Sequence, residues 1–188
     1  MQRFFFTLKA GFKARRKLRE IRQKQYQINR VTDITPDFLN RRNIHCLVID
    51  FDGVLASHGA VLPDKSSENW LNNLSQNFPK SRIFILSNKP TGVRAAYFKK
   101  HFPNIQFISG VRKKPYPDGL LKIQEITGFK AYEIALVDDR ILTGCLACIL
   151  AGSYPILVTS PSIKFSKKPI QECFFAGLRA IERWLLLK

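Results

Sequence analysis

Asp50-Phe51-Asp52 ends the apolar run from Ile44 to Ile49 and is followed at once by Gly53. Residues two apart on an extended backbone face the same side, so both carboxylates can enter one cleft. Two acids so placed repel each other unless a cation, a proton or hydrogen bonds compensate them. Such a pair can divide its work between a nucleophile and a proton donor and acceptor. Gly53 lets the chain turn sharply away. Asp and Gly are also common in solvated turns after strands, so this tripeptide does not decide the matter alone.

Three further groups fit the same chemistry. Ser87-Asn88 follows the apolar run Arg82 to Leu86 and precedes a helix. A hydroxyl and backbone N–H groups there suit a phosphate oxygen, although Ser-Asn is also an ordinary capping sequence. Lys113-Lys114 stands before Pro115-Tyr116-Pro117. A lysine here can neutralise a phosphate and a nucleophile together, whereas most lysine pairs are simply solvated. Asp138-Asp139 ends the run Glu133 to Val137. With Asp50 and the Asp52 carbonyl, these acids offer the hard oxygen ligands that Mg²⁺ prefers. The alternative for Asp139 is a helix N-cap.

The elements that must position these groups alternate. Strands are expected over 44–50, 82–86, 105–108, 133–137 and 155–159. Helices are expected over 66–78, with Trp70, Leu71 and Leu74 inward, over 91–101, and over 117–127, stopped by Gly128. Thr35-Pro36 opens a short helix before the first strand, and the tail 169–187 is amphipathic. Such alternation predicts an α/β, doubly wound parallel sheet with ligands at the carboxyl ends of its strands. All four groups fall at or after such ends.

The order of these motifs resembles the haloacid dehalogenase (HAD) phosphatase superfamily, over about residues 31–161. Finer features resemble its class IIIA members, the YqeG and phosphatidylglycerophosphate phosphatase group. These are Thr35-Pro36 with Leu39, Lys114-Pro115-Tyr116-Pro117, and the run from Val137 through Thr143 and Gly152 to Val158. Where that group has Asn-Thr after its first acid pair, this chain has Gly53-Val54. Where it has Gly-Asp-Gln, this chain has Asp138-Asp139-Arg140. Gly144 falls where a second Asp is usual, so Asp138 is the acid that can replace it. The resemblance implies a HAD-like Rossmannoid fold and a Mg²⁺-dependent phosphatase. Asp50 would be the nucleophile, Asp52 the acid/base, and Ser87 and Lys114 the phosphoryl holders. Asn88, Gly53 and Lys113 would meet the substrate, and Asp50, Asp52, Asp139 and Asp138 the metal. The intervals from Asp52 to Asn88 and from Asn88 to Lys113 are too short for an inserted cap domain, so an open site is expected.

Charge narrows the substrate. The chain has 31 Lys and Arg against 14 Asp and Glu among 188 residues, for a net charge of +17. Residues 1–30 hold ten basic side chains and one acid, Glu20, whereas 31–161 hold fifteen and eleven. A boundary near residue 30 therefore separates a basic amphipathic arm, expected as a helix over 3–30, from a phosphatase domain over 31–188. Such an arm suits a polyanionic partner, an anionic membrane surface or, as the alternative, nucleic acid. Beside an uncapped site it suits a phosphorylated lipid, and the resemblance suggests phosphatidylglycerophosphate. The corresponding location is cytoplasmic and peripheral on the inner membrane face, or the matrix side in a mitochondrion. A solvated basic helix or a cleaved presequence would also fit residues 1–30, and the Val54 and Gly144 departures also permit a non-catalytic binding protein with the same fold. The uncharged stretch Ile141–Ile163 is interrupted by Gly144, Gly152, Ser153 and Pro155 and reads as core rather than a membrane span. Cys46, Cys145, Cys148 and Cys173 lack the spacing of a zinc site and read as buried free thiols.

Overall fold

The computed structural model describes residues 2–79, 82–163 and 169–187. Six strands form one parallel sheet: β1 Gln27–Ile28, β2 Cys46–Ile49, β3 Ile83–Ile85, β4 Gln106–Phe107, β5 Ile134–Asp138 and β6 Tyr154–Val158. Their order is β1-β6-β5-β2-β3-β4. Succession runs one way from β2 through β3 to β4 and the other way from β5 to β6. The crevice beyond the carboxyl ends of β2 and β5 therefore lies at the switch point where such sheets bind ligands.

Eight helices are described: α1 Gln2–Lys13, α2 Arg15–Glu20, α3 Pro36–Asn40, α4 Lys65–Asn77, α5 Gly92–His101, α6 Asp118–Thr127, α7 Leu146–Ala151 and α8 Pro169–Leu187. Local sequence starts and stops several of them. Thr35 Oγ1 accepts from Phe38 N at the start of α3, and Thr91 Oγ1 accepts from Arg94 N at the start of α5. Gly128 ends α6 in the left-handed conformation, φ 69°, that glycine adopts without strain.

Alternate strand residues feed two cores. Leu47, Ile49, Ile83, Ile85, Ala135 and Val137 face Trp70, Leu71 and Phe98. Cys46, Val48, Phe84 and Leu136 face Leu120, Ile123, Ala147 and Cys148. This is the period-two pattern of a sheet covered on both sides. Burying a side chain such as Phe98 contributes about 1.5–3 kcal/mol. Cys46, Cys145 and Cys148 are free and buried, but Cys173 is exposed.

The N-terminal segment differs from the expected arm. In place of one helix over 3–30 there are α1, α2 and then β1, which pairs with β6 at the sheet edge. Ala10, Leu18 and Ile21 are buried against Ile141, Cys145, Leu146 and Leu157 in a third core. That apolar anchorage docks the basic segment on the domain, and tertiary packing breaks the helix that periodicity alone extends. The uncharged stretch after Arg140 is core: a wide π-type turn over Ile141–Cys145, then α7 and β6. No described helix is long and apolar enough to cross a membrane.

Candidate active site

Asp50 follows β2, Ser87 follows β3, and Asp138 and Asp139 stand at the end of β5. Lys114 reaches them from the loop between β4 and α6. Its ammonium lies 2.5 Å from Asp138 Oδ2 and 3.0 Å from Asp50 Oδ1, with its side chain only 2% exposed. Asn88 holds the loop in place. Its Oδ1 accepts from Lys114 N at 2.7 Å, and its Nδ2 donates to Lys114 O at 3.3 Å. The Asn88 expected to touch substrate therefore also positions the lysine.

Around Lys114 the carboxylates outnumber the cations. Asp50, Asp138 and Asp139 each place an oxygen within 4.8 Å of the others. Among the described residues two cations pair with the three directly: Lys114, and Arg179 of α8, whose Nη1 donates to Asp139 Oδ2 at 2.7 Å. Burial raises the Asp50 carboxyl well above its ordinary value; Lys114 opposes this, while Asp138, Asp52 and Asp139 add to it. Burial, reinforced by Asp138 and opposed by Arg179, pushes Asp139 up to about 7. For Lys114, burial alone would lower the ammonium, but Asp138 and Asp50 outweigh it and raise its pKa. Asp139 Oδ1 is buried with no hydrogen-bond partner. Asp50 Oδ1 meets Lys114 at ion-pair distance but without hydrogen-bond alignment. Orphaned buried carboxylate oxygens and an excess of negative charge fit a hard divalent cation.

Two glycines make room for this cluster. Gly53 has φ 84°, and a Cβ there would lie 2.5 Å from Asp139 Oδ2. At Gly144 a Cβ would lie 2.1 to 2.3 Å from the Asp138 Cβ, Cγ and Oδ2. The room that a side chain at 144 would need is thus taken by the Asp138 carboxylate. That acid is pinned there by Lys114 and by Arg140 N, which donates to its Oδ1 at 2.9 Å.

Asp52 has a partner that motif spacing does not reveal. Arg94 Nη1 and Nη2 donate to its two oxygens at 2.9 and 2.8 Å, and Gly59 N donates to Oδ1 at 2.9 Å. Arg94 also donates to Ala60 O and stacks over the Phe51 ring, 3.9 Å from its centroid. Burial alone would raise the Asp52 carboxyl, but the Arg94 fork and Gly59 N–H outweigh it and hold it below its ordinary value. Ser87 Oγ accepts from Lys89 N at 3.1 Å and lies 3.5 Å from Arg94 Nη1.

The pocket over these groups has a volume of about 200 Å³ and is lined by Asp50, Asp52, Asn88, Lys113 and Asp139 among others. Ser87, Lys114 and Asp138 are buried beneath it. No cap domain interrupts the sheet, as expected. The expectation of an open site is corrected, however: Arg3 of α1 and Phe175 of α8 reach the pocket rim, and the Asp50 side chain is 12% exposed. Elements at the two ends of the chain supply this roof, so the short intervals between motifs could not predict it. Helix α8 is locked down by charge. Besides Arg179–Asp139, Glu182 pairs with Arg140 and accepts from Ile141 N, and Glu172 accepts from His58 N while His58 stacks on Phe175.

The model of the mitochondrial PGP phosphatase family matches residues 12–163. The chain belongs to this family. It is a phosphatase, as that family is described, and the matched span holds all four strand-end motifs. Arg3 and the whole of α8 lie outside the span that matches the PGP phosphatase model. No curated protein matches the chain. Among solved structures, an uncharacterized protein from Corynebacterium glutamicum is 23% identical, with a TM-score of 0.48, over 73% of this chain and 96% of that one. A putative phosphoglycolate phosphatase from Lactobacillus delbrueckii subsp. bulgaricus is 18% identical, with a TM-score of 0.43, over 67% and 54%. A HAD-superfamily hydrolase from Ehrlichia chaffeensis is 22% identical, with a TM-score of 0.41, over 62% and 59%.

Proposed function

We propose that the protein hydrolyses the phosphomonoester of a membrane lipid headgroup, phosphatidylglycerophosphate, through an aspartyl-phosphate on Asp50. The observation that carries this reading is the Asp50 carboxylate at the end of β2, held against Lys114 and within 4.8 Å of the Asp138 and Asp139 oxygens. Asp50 attacks phosphorus, and the bond from phosphorus to the glycerol oxygen breaks. Asp52, ionised at rest, first gains a proton from solvent and passes it to the leaving oxygen, and then takes one from the water that attacks the aspartyl-phosphate. That second attack releases inorganic phosphate and restores Asp50. Arg94 orients Asp52 and favours its ionised form, the form that accepts the proton from water. Lys114 and Ser87 hold the transferring group, with Gly53, Asn88 and Lys113 at the substrate side. Asp50, the Asp52 carbonyl, Asp139 and Asp138 would hold Mg²⁺, which offsets the charge of nucleophile and phosphoryl oxygens when bound.

The family's description as a mitochondrial PGP phosphatase supports this substrate. So do the ten basic side chains of residues 1–30, beside a pocket that Arg3 helps to line. The reading puts the protein peripherally on the inner membrane face, on the matrix side in a mitochondrion. A phosphate-release panel tests it, with phosphatidylglycerophosphate in detergent micelles, nucleoside monophosphates and 5′-phosphorylated oligonucleotides, each with and without Mg²⁺. Release is expected fastest from the lipid and only with the metal. Faster release from nucleotides or oligonucleotides would transfer the basic segment to a nucleic-acid role.

A further inference from the structure

Helix α8 is amphipathic in the unusual sense. Its charged residues face inward: Arg179 and Glu182 are buried in ion pairs over the active site, and Glu172 is buried accepting from His58 N. Its large apolar residues face outward: Ile170 is 87% exposed, Phe174 and Trp184 61%, and Ile181 56%. At about 3.6 residues per turn, positions 170, 174, 181 and 184 fall on one face. Helix α1 repeats the pattern. Ala10 and Gly11 are buried, whereas Phe4, Phe5, Leu8 and Phe12, again on one face, are between 51% and 69% exposed. Both helices reach the rim of the same pocket, through Arg3 and Phe175, and both pack against the turn at Ile141–Cys145.

Two apolar stripes flanking one pocket mark an interaction surface rather than scattered exposed residues. We propose that α1 and α8 together form a docking face for an anionic phospholipid bilayer, with these aromatic and aliphatic side chains entering its interfacial layer. The proposal rests on the lipid-substrate reading above and names the face that such a substrate requires. Charge selects this occupant. Lys9 and Lys13 of α1 and Arg15, Arg16, Lys17 and Arg19 of the adjoining α2 are exposed, and the chain carries +17 overall. A second copy of the chain would bring an equally basic surface against it, whereas an anionic headgroup layer complements it. Aromatic residues beside lysine and arginine are the composition of interfacial helices.

Vesicle sedimentation of the full chain tests this, with vesicles of phosphatidylcholine alone and of phosphatidylcholine with phosphatidylserine. The protein is expected to sediment only with the anionic vesicles, and Trp184 emission to shift to the blue on binding, Trp70 being buried already. The variants F4S/F5S and F174S are each expected to weaken partitioning about tenfold or more, since each removes an apolar side chain from the interface. Both should keep wild-type circular dichroism and wild-type hydrolysis of p-nitrophenyl phosphate. Asp50→Asn should bind vesicles as the wild type does, which separates a failure of this surface from a failure of the catalytic reading. Wild-type sedimentation by both variants, or none by the parent chain, overturns the proposal. So does a dimer in analytical ultracentrifugation that F174S dissociates while vesicle binding is unchanged.

Discussion

Replacing Lys114 by Met is expected to destabilise the metal-free protein by about 3–5 kcal/mol, because it leaves buried carboxylates without their central cation. Lys114 touches both Asp50 and Asp138 and is 2% exposed, so water cannot take its place cheaply. With Lys114 gone, Arg179 would be the one described cation still in direct ion-pair contact with these acids. The folded protein can then relieve itself only by holding protons on those carboxyls, which burial already favours for Asp50 and Asp139. The sign of the pH dependence follows. Below the unfolded carboxyl value, about 4, both states are protonated and the penalty is absent. As pH rises the unfolded chain releases these protons first, so the penalty grows until the folded carboxyls ionise as well. The melting temperature of Lys114→Met should therefore fall by roughly 10 °C relative to wild type at pH 8 and much less at pH 4. Added Mg²⁺ should restore part of the loss. A drop of the same size at both pH values would contradict the charge account. Phosphate release should be lost throughout, since the same ammonium contacts the proposed nucleophile.

The second large effect is expected at Gly144. Alanine there would put a methyl group 2.1 to 2.3 Å from the Asp138 side chain, which Lys114 and Arg140 N hold in place. Overpacking of this kind costs about 1–3 kcal/mol and would push Asp138 off Lys114. Gly144→Asp should be worse, because it adds a further buried acid. Asp138→Gly removes the stronger partner of Lys114 and should lower both stability and activity. The double change Asp138→Gly with Gly144→Asp should recover much of both, since one carboxylate again occupies that space, now borne by the turn. A double-mutant cycle on thermal unfolding is expected to show a favourable coupling of about 1–3 kcal/mol. Additive effects, or a Gly144→Ala variant as stable as the parent, would show that the two positions do not share the space.

The Gly144 result also shows what a sequence can and cannot convey about such a site. The acid pairs, Ser87-Asn88 and Lys113-Lys114 are legible because parallel strands deliver their last residues to one edge. The sequence neighbours of a strand end are therefore its neighbours in space. The same logic makes the exchange of Asp138 for an acid at 144 readable as a question, which the close approach of Gly144 to Asp138 makes testable. Arg94, His58 and Arg179 are not legible in this way. Each sits beyond the motifs, on a helix or loop, and polar residues there look solvated until tertiary packing brings them in. Strand β1 escapes for another reason: two residues, Gln27 and Ile28, carry no periodicity. The roof escapes because Arg3 and Phe175, far apart in the sequence, meet over one pocket only in the fold. Amphipathicity shows that α8 has two faces, but only the partners of Glu172, Arg179 and Glu182 show that the charged one is inside.

The central claim is that Asp50 carries the phosphoryl group, and its most direct test is phosphate release by Asp50→Asn in the presence of Mg²⁺. Asparagine keeps the shape of the side chain, and Lys114 keeps Asp138 as its partner, so the variant should fold and melt close to wild type. With phosphatidylglycerophosphate as substrate, the account predicts metal-dependent release by the wild type and none by the folded variant. Release by Asp50→Asn at the wild-type rate would contradict it.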